Sequence, residues 1–189
     1  MISSLSLRDT CERLKTAQRI LVIGCSGSGK STLSRALAAQ LGLRHISLDR
    51  EVFWLPGWTE RPRDEAIERL KDRLAEDRWV IDGTSPGTLH FRLPRTHLVI
   101  WLRPPRWTSL TGAFSRWIRY FGRTRPEMAD NCPEKIDAEF LSYIWTFEKR
   151  RSPQIETNLA RFGAGVPVSI LRSRADMKQL LKQLQEDAA

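Results

Sequence analysis

Between Asp82 and Glu127 this chain of 189 residues has no acidic side chain, while eight arginines fall in the same interval. The whole chain carries 31 Lys and Arg against 22 Asp and Glu, a formal charge of +9, which points to polyanionic ligands such as nucleotides, nucleic acid or headgroups. Cysteine is scarce. Cys11, Cys25 and Cys132 are odd in number, far apart and free of CxxC or Cys/His spacing. That argues against a disulfide framework or a zinc site and makes a reducing cytoplasm the expected compartment. No apolar run is long enough to span a bilayer, so no membrane role is expected, and residues 1–15 lack a signal-peptide core. Internal repeats, low-complexity tracts and linkers are missing, and the length suits one domain, residues 1–189, with a small mobile insertion. Helix-turn-helix, zinc-finger and RNA-binding motifs are missing too.

What is present starts at residue 21, LVIGCSGSGKSTL. Ile20 to Ile23 are apolar at every position, as in a strand covered on both faces of a parallel sheet, and this is expected to be the central one. Gly24, Gly27 and Gly29 let the backbone curl into a nest of N–H groups suited to polyphosphate oxygens. From Ser31, STLSRALAAQLG reads as a helix whose N-terminus faces the nest and adds the favourable end of its dipole. Gly24, four residues, then Gly29-Lys30-Ser31 complete a Walker A pattern, with Ser26, Ser28 and Thr32 filling out the nucleotide loop. Lys30, expected to be a solvent-facing loop residue, can reach the β- and γ-phosphates, and the Ser31 hydroxyl can ligate magnesium. Cys25 reads as a small filler rather than a nucleophile.

Strands and helices alternate along the rest. An amphipathic helix is expected over residues 5–17. HISLD, ending at Asp49, WVIDG, THLVIWL and VPVSIL supply four further strands. Helices are expected over DEAIERLKDRLAED, PPRWTSLTGAFSRWIRYFG, a region from near Pro133 that bends at Pro153, and ADMKQLLKQLQED. In the second of these, Trp107, Leu110, Phe114, Trp117 and Phe121 recur at helical intervals and are expected in the core. The order implies an α/β fold, a five-stranded parallel sheet with helices on both faces and ligands at the carboxyl ends of the strands. Asp49, the glycine loop and Asp82 would then surround one crevice. Asp82 follows Trp79-Val80-Ile81 as a Walker B acid does, positioned to hold magnesium directly or through water.

The tracts GCSGSGKSTLSRAL, DGT after WVI, FWLPGW, GRTRPEMADNCPEKID and EFLSYIWTFEKRR together resemble bacterial P-loop kinase-like proteins related to adenylate and nucleoside-monophosphate kinases, often labelled DNA topology modulation proteins. The resemblance runs from Arg19 to about Leu159. It implies a P-loop NTPase fold with an acceptor-binding insertion at about residues 50–78 and a helical lid at about 105–150. Adenylate kinases carry an Arg three residues after the acid matching Asp49 and another in a DGFPR motif. Here those places hold Val52 and DGTSPGT, so the usual AMP clamps are missing, and Arg92 is close enough in sequence to substitute. Trp54 and Trp58 sit where an acceptor ring would stack, or where a short insertion would pack. In the lid Arg116, Arg119, Arg123 and Arg125 are candidates for neutralising the transferring phosphoryl group, with Arg116 and Arg119 sharing a helix face. The expected function is ATP- and Mg2+-dependent phosphoryl transfer to a small-molecule acceptor. Lys30, Asp49 and the lid arginines Arg116, Arg119 and Arg123 would be the catalytic groups, with Ser31 and Asp82 the metal ligands. A nucleic-acid-associated regulator using ATP as a switch is the alternative, and the residues specify no oligomeric state.

Overall fold

The structure is a computed structural model that describes residues 3–187. Five strands form one parallel sheet: β1 (Arg19–Gly24), β2 (Arg44–Ser47), β5 (Trp79–Asp82), β6 (Leu98–Leu102) and β7 (Val168–Leu171), in the order β2-β5-β1-β6-β7. β1 is central, as its unbroken apolar run requires. Alternation along it feeds two cores. Leu21 and Ile23 point into a layer with Leu70 of α3 (Arg63–Ala75), Ile144 of α6 (Ala138–Arg150) and Ile155 of α7 (Ser152–Phe162). Ile20 and Val22 point the other way, against Leu14 of α1 (Leu7–Thr16), Leu33 and Leu37 of α2 (Lys30–Leu41) and Leu180 of α8 (Arg174–Glu186).

Local chemistry sets the element ends. α2 stops at Gly42, whose φ of 62° puts it in the left-handed region and whose N–H donates to Ala38 O. α8 begins with a capping box between Ser173 and Asp176. The second strand is shorter than the sequence implies. It closes at Ser47, and the chain turns into one π-helical turn, Asp49–Phe53, with Asp49 its first residue. The next residues form a small antiparallel hairpin, β3 (Trp54–Leu55) and β4 (Thr59–Glu60). Between β5 and β6 lie two short 3-10 turns around α4 (Leu89–Arg92), which the sequence does not announce.

Two expectations are corrected. Most of the apolar stripe of α5 (Arg106–Arg119) is not core: Leu110 packs against the core, but Trp107, Phe114 and Ile118 are 64, 54 and 59% exposed, and Phe121 beyond the helix is 67% exposed. The buried residues of this helix are Ser109 and Ala113. Its small-residue face approaches the glycine loop so closely that a Cβ on Gly112 would collide with Gly27 O. Backbone-to-backbone approach decides which face turns inward, and the bulky face is left outside. The helix expected from near Pro133 starts instead at Ala138, where Asp137 caps it by accepting from Phe140 N at 2.7 Å. Residues 120–137 form an irregular connection, stitched by isolated bridges Phe121–Glu134 and Thr124–Pro133.

Candidate active site

Gly24, Gly27 and Gly29 have φ of 144, 77 and 100°, conformations that side chains rarely adopt. Packing reinforces the requirement: a Cβ on Gly24 would meet Leu102 O, and one on Gly27 would meet Ser109 O. Lys30, the first residue of α2, is half-buried and donates from Nζ to Cys25 O at 2.8 Å, folded back on its own loop. Burial lowers its pKa, opposed mainly by the Asp82 carboxylate. Cys25 is buried and its thiol is pushed up to about 11, chiefly by that burial, which suits a filler and not a nucleophile. The Ser28 hydroxyl is buried without a protein hydrogen-bond partner among the described residues. Ser26 is half-buried at the loop's edge, and Thr32 is exposed on the first turn of α2.

Asp82 ends β5 beside this loop and is buried. Burial raises its pKa, while the Lys30 charge and the Ser31 hydroxyl hold it down. Thr84, two residues on, clamps the loop in a way sequence reasoning missed: its Oγ1 accepts from Gly24 N at 2.9 Å and donates to Gly24 O at 2.5 Å. The DGT tract contained this residue, but only the fold reveals its partner. Arg92 is also reassigned. Fully buried, it donates to the carbonyls of Gly83 at 2.7 Å, Thr84 at 2.5 Å and Ser85 at 2.9 Å. Burial draws its pKa down to about 9, so it stays charged at neutral pH. It braces the loop after Asp82 through both terminal nitrogens, and its complete burial keeps it from an acceptor.

On the opposite side Asp49 is half-buried and accepts from Arg125 Nη2 at 3.2 Å. Arg125 Nε lies 3.0 Å from Glu134 Oε1, an ion pair without hydrogen-bond alignment. The other oxygen, Oε2, accepts from Arg116 Nε at 3.1 Å, and Arg116 Nη1 reaches 3.5 Å from Ser26 Oγ. Burial and the charge of Arg125 lower the pKa of Arg116, with Glu134 opposing them. Arg116 and Arg125 are thus brought to the two halves of the site. Arg119 and Arg123 are not: both are exposed and make no ion pair among the described residues, so Arg116 and Arg119 do not share a functional face. Glu134 went unrecognised in the sequence, although it sits inside the GRTRPEMADNCPEKID tract.

Trp54 and Trp58 meet edge to face at 5.2 Å and pack on Met128, Ala129 and Cys132. Trp58 Nε1 donates to Pro133 O at 3.1 Å, and Gly57 N to Asp130 O at 3.1 Å. These rings fasten the hairpin to residues 128–133. They do not form an open stacking platform.

Residues 20–106 match the AAA_18 family, described as an AAA domain. A curated shikimate kinase of Blochmanniella floridana is 30% identical over 90 residues, 43% of this chain and 49% of that protein. The chain thus spans about half the length of the curated relative it matches. Among solved structures, a shikimate kinase from Acinetobacter baumannii in complex with shikimate aligns with a TM-score of 0.61 at 16% identity, over 94% of this chain and 96% of its own. A deoxyadenosine kinase from M. mycoides with bound dATP gives 0.52 at 14% identity, over 90% and 98%. The fold is that of the P-loop kinases. Against that fold, the glycine loop, Asp82 and Asp49 lie at the carboxyl ends of β1, β5 and β2, where such sheets bind ligands.

Proposed function

We propose that the protein is an ATP-dependent phosphotransferase acting on a small-molecule acceptor, with a hydroxyl as the receiving group. The observation that carries this reading is the placement of Lys30 and Arg116 on one side of the site and of Asp49 with Arg125 on the other. The unpartnered Ser28 hydroxyl and the positive-φ glycines suit phosphate oxygens. Lys30 would leave Cys25 O for the β- and γ-phosphates, which favour its charged form. For magnesium the chain offers one hydroxyl, Ser31, and one carboxylate, Asp82. Among the described residues no group of three or more His, Cys, Asp or Glu could cage a metal. That sparse donor set fits Mg2+, which keeps water and phosphate ligands. Ser31 and Asp82 would hold the metal, which would supply positive charge to offset that of the phosphates.

The chain's own part is positioning, charge neutralisation and one proton. Arg116 faces the nucleotide loop, ready for the charge carried by the moving group. Asp49 has one oxygen on Arg125 and offers the other to an acceptor hydroxyl, whose proton it takes as the oxygen attacks. An acceptor that is already an anionic phosphate would need cationic clamps instead. Val52 and DGTSPGT do not provide them, and Arg92 is committed to carbonyls. The fold neighbours named for shikimate and for deoxyadenosine are consistent with a small acceptor. In this reading residues 50–78 form the acceptor insertion and residues 105–150 the lid of a single domain.

The regulator reading rests on the acid-free basic segment, and the structure draws much of that charge inward. Arg92, Arg116 and Arg125 are engaged as described, and Arg103 pairs with Glu148 and Glu156. The test of the proposal is a panel of nucleosides, nucleotides and hydroxylated metabolites assayed for acceptor-dependent ADP release with magnesium-ATP. Release stimulated by a hydroxyl compound supports the reading. Stimulation by nucleoside monophosphates alone removes the hydroxyl.

A further inference from the structure

Glu134 lies outside every recognised phosphate-loop motif, in the irregular connection between α5 and α6, yet its side chain is only 5% exposed. Its two oxygens face two arginines that arrive from different places: Arg116 from the last turn of α5, Arg125 from the connection itself. Each arginine turns Nε toward Glu134 and leaves its terminal nitrogens elsewhere. Arg116 Nη1 reaches toward Ser26 of the glycine loop at 3.5 Å, and Arg125 Nη2 reaches Asp49 at 3.2 Å. One carboxylate therefore aims two guanidinium groups at opposite halves of the site. Without it, two partly buried cations would repel each other across this gap and turn away. The neighbouring backbone keeps Glu134 in place, since its N–H donates to Arg123 O at 3.1 Å.

We propose that Glu134 is the positioning residue of this site, setting Arg116 for the terminal phosphate of the nucleotide and Arg125 for the acceptor acid. This rests on the phosphotransferase reading and adds a residue to it. Glu134 touches neither nucleotide nor acceptor. It acts through Arg116 and Arg125, so its loss is felt where those arginines work. ATP and ADP differ by the one phosphoryl group that Arg116 is placed to meet, which makes their affinities a readout independent of the acceptor's identity.

The experiment is calorimetric titration of the full chain with magnesium-ATP and magnesium-ADP, for wild type, Glu134→Gln, Arg116→Ala and the double variant, with thermal melts alongside. The wild type should prefer ATP. Glu134→Gln should weaken ATP by about tenfold, the loss of one charge-assisted hydrogen bond, and change ADP by less than about twofold. In the Arg116→Ala background the same substitution should cost nothing further. If Glu134→Gln does not fold, Glu134→Asp serves, since it keeps the charge and withdraws it by one methylene. The same selective loss is expected. Equal weakening of both nucleotides, unchanged affinities in a folded variant, or additive losses in the double variant would each overturn the proposal while leaving the functional reading intact. A wild-type chain that binds neither nucleotide would overturn both.

Discussion

Asp49 shows how one residue can be half legible. Its place at the end of a short strand marked it as a candidate site acid, but its partner Arg125 is 76 positions away, and no local pattern links the two. In the proposed reaction Asp49→Asn keeps the shape and removes the proton acceptor. We expect turnover on the true acceptor to fall by roughly 10² to 10⁴ while ATP affinity stays nearly unchanged. Steady-state kinetics with parallel nucleotide titration checks both halves, and wild-type turnover would make Asp49 structural. Arg92 teaches the converse. Its charge and spacing suggested a ligand clamp, whereas its environment supplies only the carbonyls of Gly83, Thr84 and Ser85. Burial decides between these roles, and a lone arginine in a sequence does not reveal its burial.

At the scale of elements, β1, β5 and β6 were readable because a strand covered on both faces must be apolar throughout, and the Lys30–Leu41 helix because the glycine pattern and Gly42 mark its ends. The orientation of α5 was not readable. Periodicity reports that a helix has an apolar face, and it does not report that a second face of Ser109, Gly112 and Ala113 can win by letting two backbones touch. The two faces should therefore respond in opposite order to ordinary intuition. Gly27→Ala adds a single methyl group where φ is 77° and Ser109 O blocks the space. We expect it to cost about 1 to 3 kcal/mol or to displace α5. Phe114→Ser removes a whole ring from an exposed position and should shift stability by only about 0.5 kcal/mol in either direction. Urea denaturation of both variants measures this, and a larger loss for Phe114→Ser would return the stripe to the core. Residues 120–137 were unreadable for a related reason: their order comes from contacts with the hairpin and the site, not from any period of their own.

Across the whole molecule, Ser47 Oγ donates to Glu127 O at 2.8 Å, Arg35 pairs with Glu127 at 2.9 Å, and the two tryptophans grip residues 128–133, so the connection is tied to strand, loop helix and hairpin together. No helix among the described residues is long and apolar enough to cross a membrane. The formal charge of +9 raises the question of nucleic acid at this scale. With Arg92, Arg103, Arg116 and Arg125 engaged internally, we expect only weak, non-specific DNA binding that vanishes at moderate salt. Tight binding with a log-log salt slope of about −0.9 for each of several phosphates would favour the regulator. The central claim, that the glycine loop and Lys30 serve phosphoryl transfer, is met most directly by following the labelled γ-phosphate of ATP in wild type and Lys30→Ala. The Lys30 side chain makes one hydrogen bond, to Cys25 O, and its charge faces the buried Asp82, so a thermal melt of the variant is run alongside to establish that it is folded. We expect label to pass from ATP to the acceptor in the wild type and to remain in ATP with the folded variant; transfer by folded Lys30→Ala at the wild-type rate would contradict the account.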